Sequence, residues 1–96
     1  MIQQVMVTSE APVSIKPLLQ AAIQNELYVL EHGIARTRER IAAFEKQYGM
    51  STDTFARRFN GQDLKETLDF IDWSGEIKTL RLLEDKHRAL AGARVN

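Results

Sequence analysis

Three carboxylates, Asp69, Asp72 and Glu76, stand at i, i+3 and i+7, so on a helix they share one face and offer oxygen ligands to a hard divalent cation. A cation site for phosphate chemistry needs a second acidic set to close around the ion. The upstream acids Glu26 and Glu31 are five residues apart and unaccompanied, so the pattern favours a solvated or arginine-paired acidic face, with no metal and no cofactor. His87 follows Arg81 by six residues, an arginine–histidine pair of the type that cleaves RNA. On an unbroken helix six residues carry the second side chain about 240° away from the first, and the apolar Leu82 directly follows the arginine. His32 has no acidic or hydroxyl partner at a telling spacing, which places it outside acid–base and triad chemistry. No catalytic residue is assigned. Arg57 and Arg58, with Arg36, Arg38 and Arg40, are candidate phosphate contacts, although Phe55 and Phe59 beside them belong in a core rather than on a stacking platform.

The elements that must position these groups are helical. Ile23, Leu27, Leu30, Ile34, Thr37, Ile41, Phe44 and Tyr48 follow one another at steps of four and three residues, an apolar seam that repeats every 3.5 residues. Such a seam suits a helix that lies along another helix. Ser14 is a candidate N-cap with Pro17 in the first turn, and the pattern runs unbroken to Tyr48, apart from Gly33, before Gly49 stops it. Ser51 caps a short corner helix carrying Phe55 and Phe59, closed by Asn60 and Gly61. A last helix is expected from Asp63 to Ala91, with Gly92 ending it and with Leu64, Leu68, Phe70, Ile71, Trp73, Ile77, Leu80, Leu83 and Leu90 forming a broad apolar face. Residues 1–11, with Val5, Val7 and Thr8, read as extended and strand-like, and residues 12–96 as the helical domain.

The expected fold is therefore all-α, an antiparallel hairpin of two long helices with a short corner helix, completing a bundle by dimerisation. The acidic start of the last helix (Asp63, Glu66, Asp69, Asp72, Glu76) should lie beside the basic end of the first (Arg36, Arg38, Arg40, Lys46). Counting equally from the corner puts Gly33 near Gly75. One hairpin covers one side of each stripe, so Leu27, Leu30, Ile34 and Ile41 with Phe70, Trp73, Ile77 and Leu80 are the candidate interface residues. Trp and Phe are the types that anchor interfaces.

Composition sets outer bounds. Ninety-six residues make one small domain that buries roughly 60 to 65% of its unfolded surface, so help from a partner is expected. Thirteen basic and thirteen acidic side chains cancel, which removes any bulk attraction to nucleic acid or anionic membrane. The absence of cysteine excludes disulfides, thiolate zinc sites and thiol nucleophiles. With no apolar run near the ~20 residues of a bilayer span and no basic leader at the N-terminus, no membrane association and a cytoplasmic location are expected.

The run YGMSTDTFARRF from Tyr48 to Phe59, then Asn60 and Gly61, then LDFIDWSGE from Leu68 to Glu76 with the leucine-rich stretch Leu80 to Leu83, resembles a group of short helical antitoxin-like proteins of bacteria and archaea encoded beside a toxin-like partner. The likeness covers about residues 12–91. It implies a non-catalytic protein–protein interaction module, the antitoxin-like half of a toxin–antitoxin pair, with Asp69, Phe70, Asp72 and Trp73 as a contact surface. The expected partners are a second copy and a toxin-like protein, with the extended Ile2 to Thr8 segment adding a strand to the partner's sheet edge. Two alternatives of different class stand beside it: a small dimeric nucleic-acid-binding regulator using Arg57 and Arg58, and a small all-α hydrolase or HEPN-like ribonuclease using Asp72 or His87. Zero net charge weighs against the first, and the missing paired motif against the second.

Overall fold

The computed structural model describes residues 3–8 and 14–95. Strand β1 (Gln3–Val5) is followed by helices α1 (Ile15–Tyr48), α2 (Thr52–Asn60) and α3 (Leu68–Ala91) and by strand β2 (Ala93–Val95). α1 and α3 fold back on each other into the expected all-α hairpin, a rod of 60 × 21 × 18 Å. Of the extended segment expected over residues 1–11, Met1, Ile2 and residues 9–11 lie outside the described residues.

Each helix ends for a local reason. Ser14 has the extended backbone of an N-cap, although its side chain makes no capping hydrogen bond. Gly49 sits in the left-handed region (φ 59°, ψ 37°) and donates its N–H to the Glu45 carbonyl. The Glu45 side chain then reaches past the turn to accept from the Thr52 N–H at 2.7 Å, while the Ser51 hydroxyl caps α2 by accepting from the Thr54 N–H at 3.2 Å. α2 closes at Asn60 and Gly61 as expected, and the residue in the left-handed region is the next one, Gln62 (φ 61°). A Cβ at Gly61 would be crowded, 3.1 Å from the Arg57 carbonyl oxygen.

α3 begins at Leu68, five residues later than the sequence suggested. Asp63 does not cap a helix, because its N–H is bound to the Arg58 carbonyl (2.8 Å) and its carboxylate to the Arg58 guanidinium (2.9 Å). The stretch from Gly61 to Thr67 instead forms a loop that lets Leu64 pack against the core, and Thr67 caps α3 by accepting from the Phe70 N–H at 3.1 Å.

That longer corner shifts the helix register. Gly33 lies opposite Leu83, whose Cδ1 is 3.3 Å from where a Cβ would be, while Gly75 has open space beside it, so the two glycines do not meet. The seam from Ile23 to Tyr48 is buried or half-buried throughout, with Leu30, Thr37 and Ile41 the deepest. Buried Thr37 satisfies its hydroxyl by donating to the Gly33 carbonyl at 2.8 Å. At the corner, Trp73 and Phe55 are fully buried among Ile41, Phe44, Tyr48, Phe59 and Phe70.

The first turns of α1 run beyond α3, and Lys16, Gln20, Ile23 and Gln24 there meet β2. β2, which nothing in the sequence announced, pairs in parallel with β1, Gln3 to Ala93, Gln4 to Arg94 and Val5 to Val95. The N-terminal strand is thus supplied with a partner inside the chain, where the sequence reading gave it a sheet edge on another protein.

Candidate interaction surface

The carboxylates that spacing placed on one face are held by donors from α1. Asp69 accepts from the Tyr48 hydroxyl and from Gln47 Nε2 (3.4 Å), and Glu76 accepts from Arg40 at 3.1 Å. Asp72 stands exposed beside them, at a shallow groove with Arg40, Phe44 and Gln47. Of the acidic and basic ends expected side by side, one ion pair is seen among the described residues, Arg40 with Glu76; Asp69 is held by the neutral Tyr48 and Gln47, and Arg38 pairs with Glu84, farther along α3, at 2.8 Å. The Tyr48 phenol is raised above its ordinary value of 10.0, first by the hydrogen bond to Asp69, then by desolvation, then by the charge of the carboxylate.

His87 and Arg81 are separated as helix geometry requires: His87 is half-buried against α1, with Nε2 3.2 Å from Glu31 Oε1, whereas Arg81 is exposed. His87 shares an open groove of about 620 Å³ with Glu31, Ile34, Arg38 and Glu84, so it stands beside the Glu31 carboxylate and the Arg38–Glu84 ion pair that joins the two helices. His32 contacts only Tyr28 among the aromatic rings, edge-on at 4.4 Å. Arg58 is tied to Asp63 and Arg57 reaches the Thr54 hydroxyl at 3.5 Å. Arg38 and Arg40 are already paired with Glu84 and Glu76, and Arg40 lies eight residues from Tyr48, about 12 Å along the helix from the corner. The five arginines do not converge on one phosphate-sized site.

The residues expected at an interface form the seam of the hairpin itself. Leu30, Ile41 and Trp73 are buried within the single chain, and Leu27, Ile34, Phe70, Ile77 and Leu80 are half-buried. Trp73 is stacked on Phe55 (ring centroids 3.9 Å apart, planes 3° apart), with Phe44 also parallel to it at 5.7 Å. Its indole N–H donates to the Thr52 hydroxyl at 3.3 Å. A ring so enclosed has no face left for another protein.

What the chain leaves open lies on the opposite sides of the two long helices. On α1, Leu18 and Tyr28 are each 61% exposed and Val29 is 52% exposed. Leu18 and Val29 are eleven residues apart, about 20° in helical phase, with Ala22 between them and His32 following, so they form a second stripe turned away from the seam. On α3, Leu68, Ile71 and Leu82 are 81%, 46% and 53% exposed and again oppose the buried face. The signal for these stripes was present in the 3–4 spacing, but in α3 it was merged with the inner face into one broad stripe.

No helix among the described residues is long and apolar enough to cross a membrane. No family model matches the chain, and neither a curated protein nor a solved structure was found to match it.

Proposed function

We propose that this chain is a non-catalytic helical interaction module, the antitoxin-like half of a toxin–antitoxin pair, and that it binds and restrains its partner with the outer face of α1. The observation that carries the reading is the exposed stripe Leu18, Tyr28 and Val29 on a helix whose first turns outrun α3. An amphipathic helix with an exposed apolar stripe docks into a groove of another protein, and Leu18, Ala22 and Val29 stand at i, i+4 and i+11 with Tyr28 beside them. The resemblance of Tyr48–Phe59 and Leu68–Glu76 to antitoxin-like proteins supplies the partner class, a toxin-like protein encoded by the neighbouring gene. The mechanism is occlusion: a rigid rod lies over the surface the partner needs for its own activity.

The test is co-expression of the chain with the product of the neighbouring gene, followed by co-purification. Wild-type chain is expected to carry the product with it, and a Leu18→Glu/Tyr28→Glu/Val29→Glu variant to lose it while keeping its helical circular dichroism. Retention of the complex by that variant, or no complex with wild type, overturns the proposal.

A further inference from the structure

We infer that the groove between β2 and the first turns of α1 receives an extended, acidic segment of a partner protein, which adds to the free edge of β2 as a further strand. The groove, about 360 Å³, is lined by all three residues of β2 and by Lys16, Gln20, Ile23 and Gln24 of α1. None of its lining residues belongs to β1, so it lies on the side of β2 that β1 leaves open.

An edge strand presents a row of N–H and C=O groups that another extended chain can pair in sequence. Residues 93–95 pair with β1 alone: among the described residues they make no backbone hydrogen bond to α1 or to a loop. A ladder of two three-residue strands is also smaller than what stands alone in water, and a third strand supports it. The facing row on α1 matches such a guest in length. Lys16, Gln20 and Gln24 stand four residues apart on one side of the helix and span about 12 Å, the reach of three to four strand residues. Half-buried Ile23, Ala93 and Val95 give the groove an apolar floor.

Charge names the guest. Each of the four other grooves described includes a carboxylate, from Glu31, Glu39, Glu66 or Asp72, whereas this one holds two cations and no acid. Lys16 and Arg94 are exposed and make no ion pair within the chain among the described residues. An arginine fork and a lysine ammonium each take a carboxylate, and the same two charges repel a basic strand, so the open edge is selective as well as adhesive. Lys16 is turned about 200° around α1 from Leu18, so this surface is separate from the outer face proposed above to hold the partner.

Calorimetric titration of the full chain with the blocked peptide Thr-Glu-Val-Glu-Thr tests this. Wild type is expected to bind it, and Lys16→Glu with Arg94→Glu to bind it about ten- to thirty-fold more weakly, two exposed ion pairs being turned into repulsions. The charge-reversed chain, with helical circular dichroism unchanged, is expected to bind Thr-Lys-Val-Lys-Thr instead. Methylating every second backbone amide of the acidic peptide, in each of the two alternate patterns, is expected to abolish binding in one pattern only, because alternate amides of a strand face the ladder. Leu18→Ser with Val29→Ser is expected to bind the peptide as wild type does, which separates this groove from the outer face of α1. No binding by wild type, equal binding by the charge-reversed chain, the same response to both methylation patterns, or loss of binding in the Leu18→Ser/Val29→Ser chain overturns the inference. Tighter binding of inorganic phosphate or of a single-stranded oligonucleotide also overturns it, by assigning the two cations to phosphate.

Discussion

Replacing Phe55 with alanine removes the ring that closes the corner of the rod. Phe55 is fully buried, lies parallel to Trp73 at 3.9 Å and also contacts Phe59 at 5.2 Å and Phe70 at 5.3 Å between centroids. Loss of a fully buried phenylalanine costs about 3–5 kcal/mol, from its transfer free energy and the cavity left behind. A chain of 96 residues has a total stability of about 5–14 kcal/mol, so this one side chain holds between a fifth and most of it. At about 4–8 °C per kcal/mol for a domain of this size, the melting temperature should fall by ~12–40 °C. Two readouts follow the same event. Far-UV circular dichroism on dilute chain reports the helices, and the fluorescence of Trp73, the chain's one tryptophan, reports whether the face that Phe55 covers has opened to water. A drop of less than about 1 kcal/mol, the scale of an ordinary point substitution, or tryptophan emission unchanged from wild type, would refute the claim that the aromatic core is closed within one chain.

Further outcomes follow from the helix ends and the glycines. Thr67→Ala should cost about 1 kcal/mol by removing the cap of α3, whereas Asp63→Ala should cost no more than the ~0–1 kcal/mol of an exposed ion pair; equal losses in denaturant titrations would contradict a helix that starts at Leu68. Gly75→Ala should raise stability by about 1 kcal/mol, since a Cβ there meets open space. Gly33→Ala should gain less, because Leu83 Cδ1 stands 3.3 Å from the new methyl group and must move; thermal melts that rank the two the other way would reject the helix register. The protonated Tyr48 phenol is the form that donates to Asp69, and its pKa is raised over the unfolded value of 10.0, so its stabilising effect is complete below pH 10 and is lost as pH rises through the folded value. Denaturation curves should therefore weaken in the alkaline range for wild type and less so for Tyr48→Phe; identical alkaline profiles would count against this hydrogen bond.

The hairpin was legible because its signals are local and repeated. The 3–4 seam from Ile23 to Tyr48, the left-handed stop at Gly49 and the Ser51 cap each depend on residues within a turn or two, and all three are seen. The start of α3 was misread where two acceptable caps, Asp63 and Thr67, compete. The choice is settled by tertiary contacts, the Arg58 bonds and the burial of Leu64, which no window of sequence contains. The pairing of Gly33 with Gly75 failed for the same reason, since a five-residue error at the corner becomes a register error along both helices. β2 gave no sign of itself because three residues carry too little pattern and their partner, β1, is ninety positions away. Among the candidate interface residues, type was read well and direction poorly: Leu30, Ile41 and Trp73 are the anchors of a packed surface, and that surface is the one between α1 and α3.

The most direct measurement is calorimetric titration of the neighbouring gene's product into wild-type chain and into the Leu18→Glu/Tyr28→Glu/Val29→Glu variant, with Trp73 emission recorded before and after each addition. The account predicts saturable binding to wild type, none to the variant, and a buried tryptophan spectrum in all samples. Equal binding by the two chains, or a Trp73 that becomes buried only when the product is added, would contradict it.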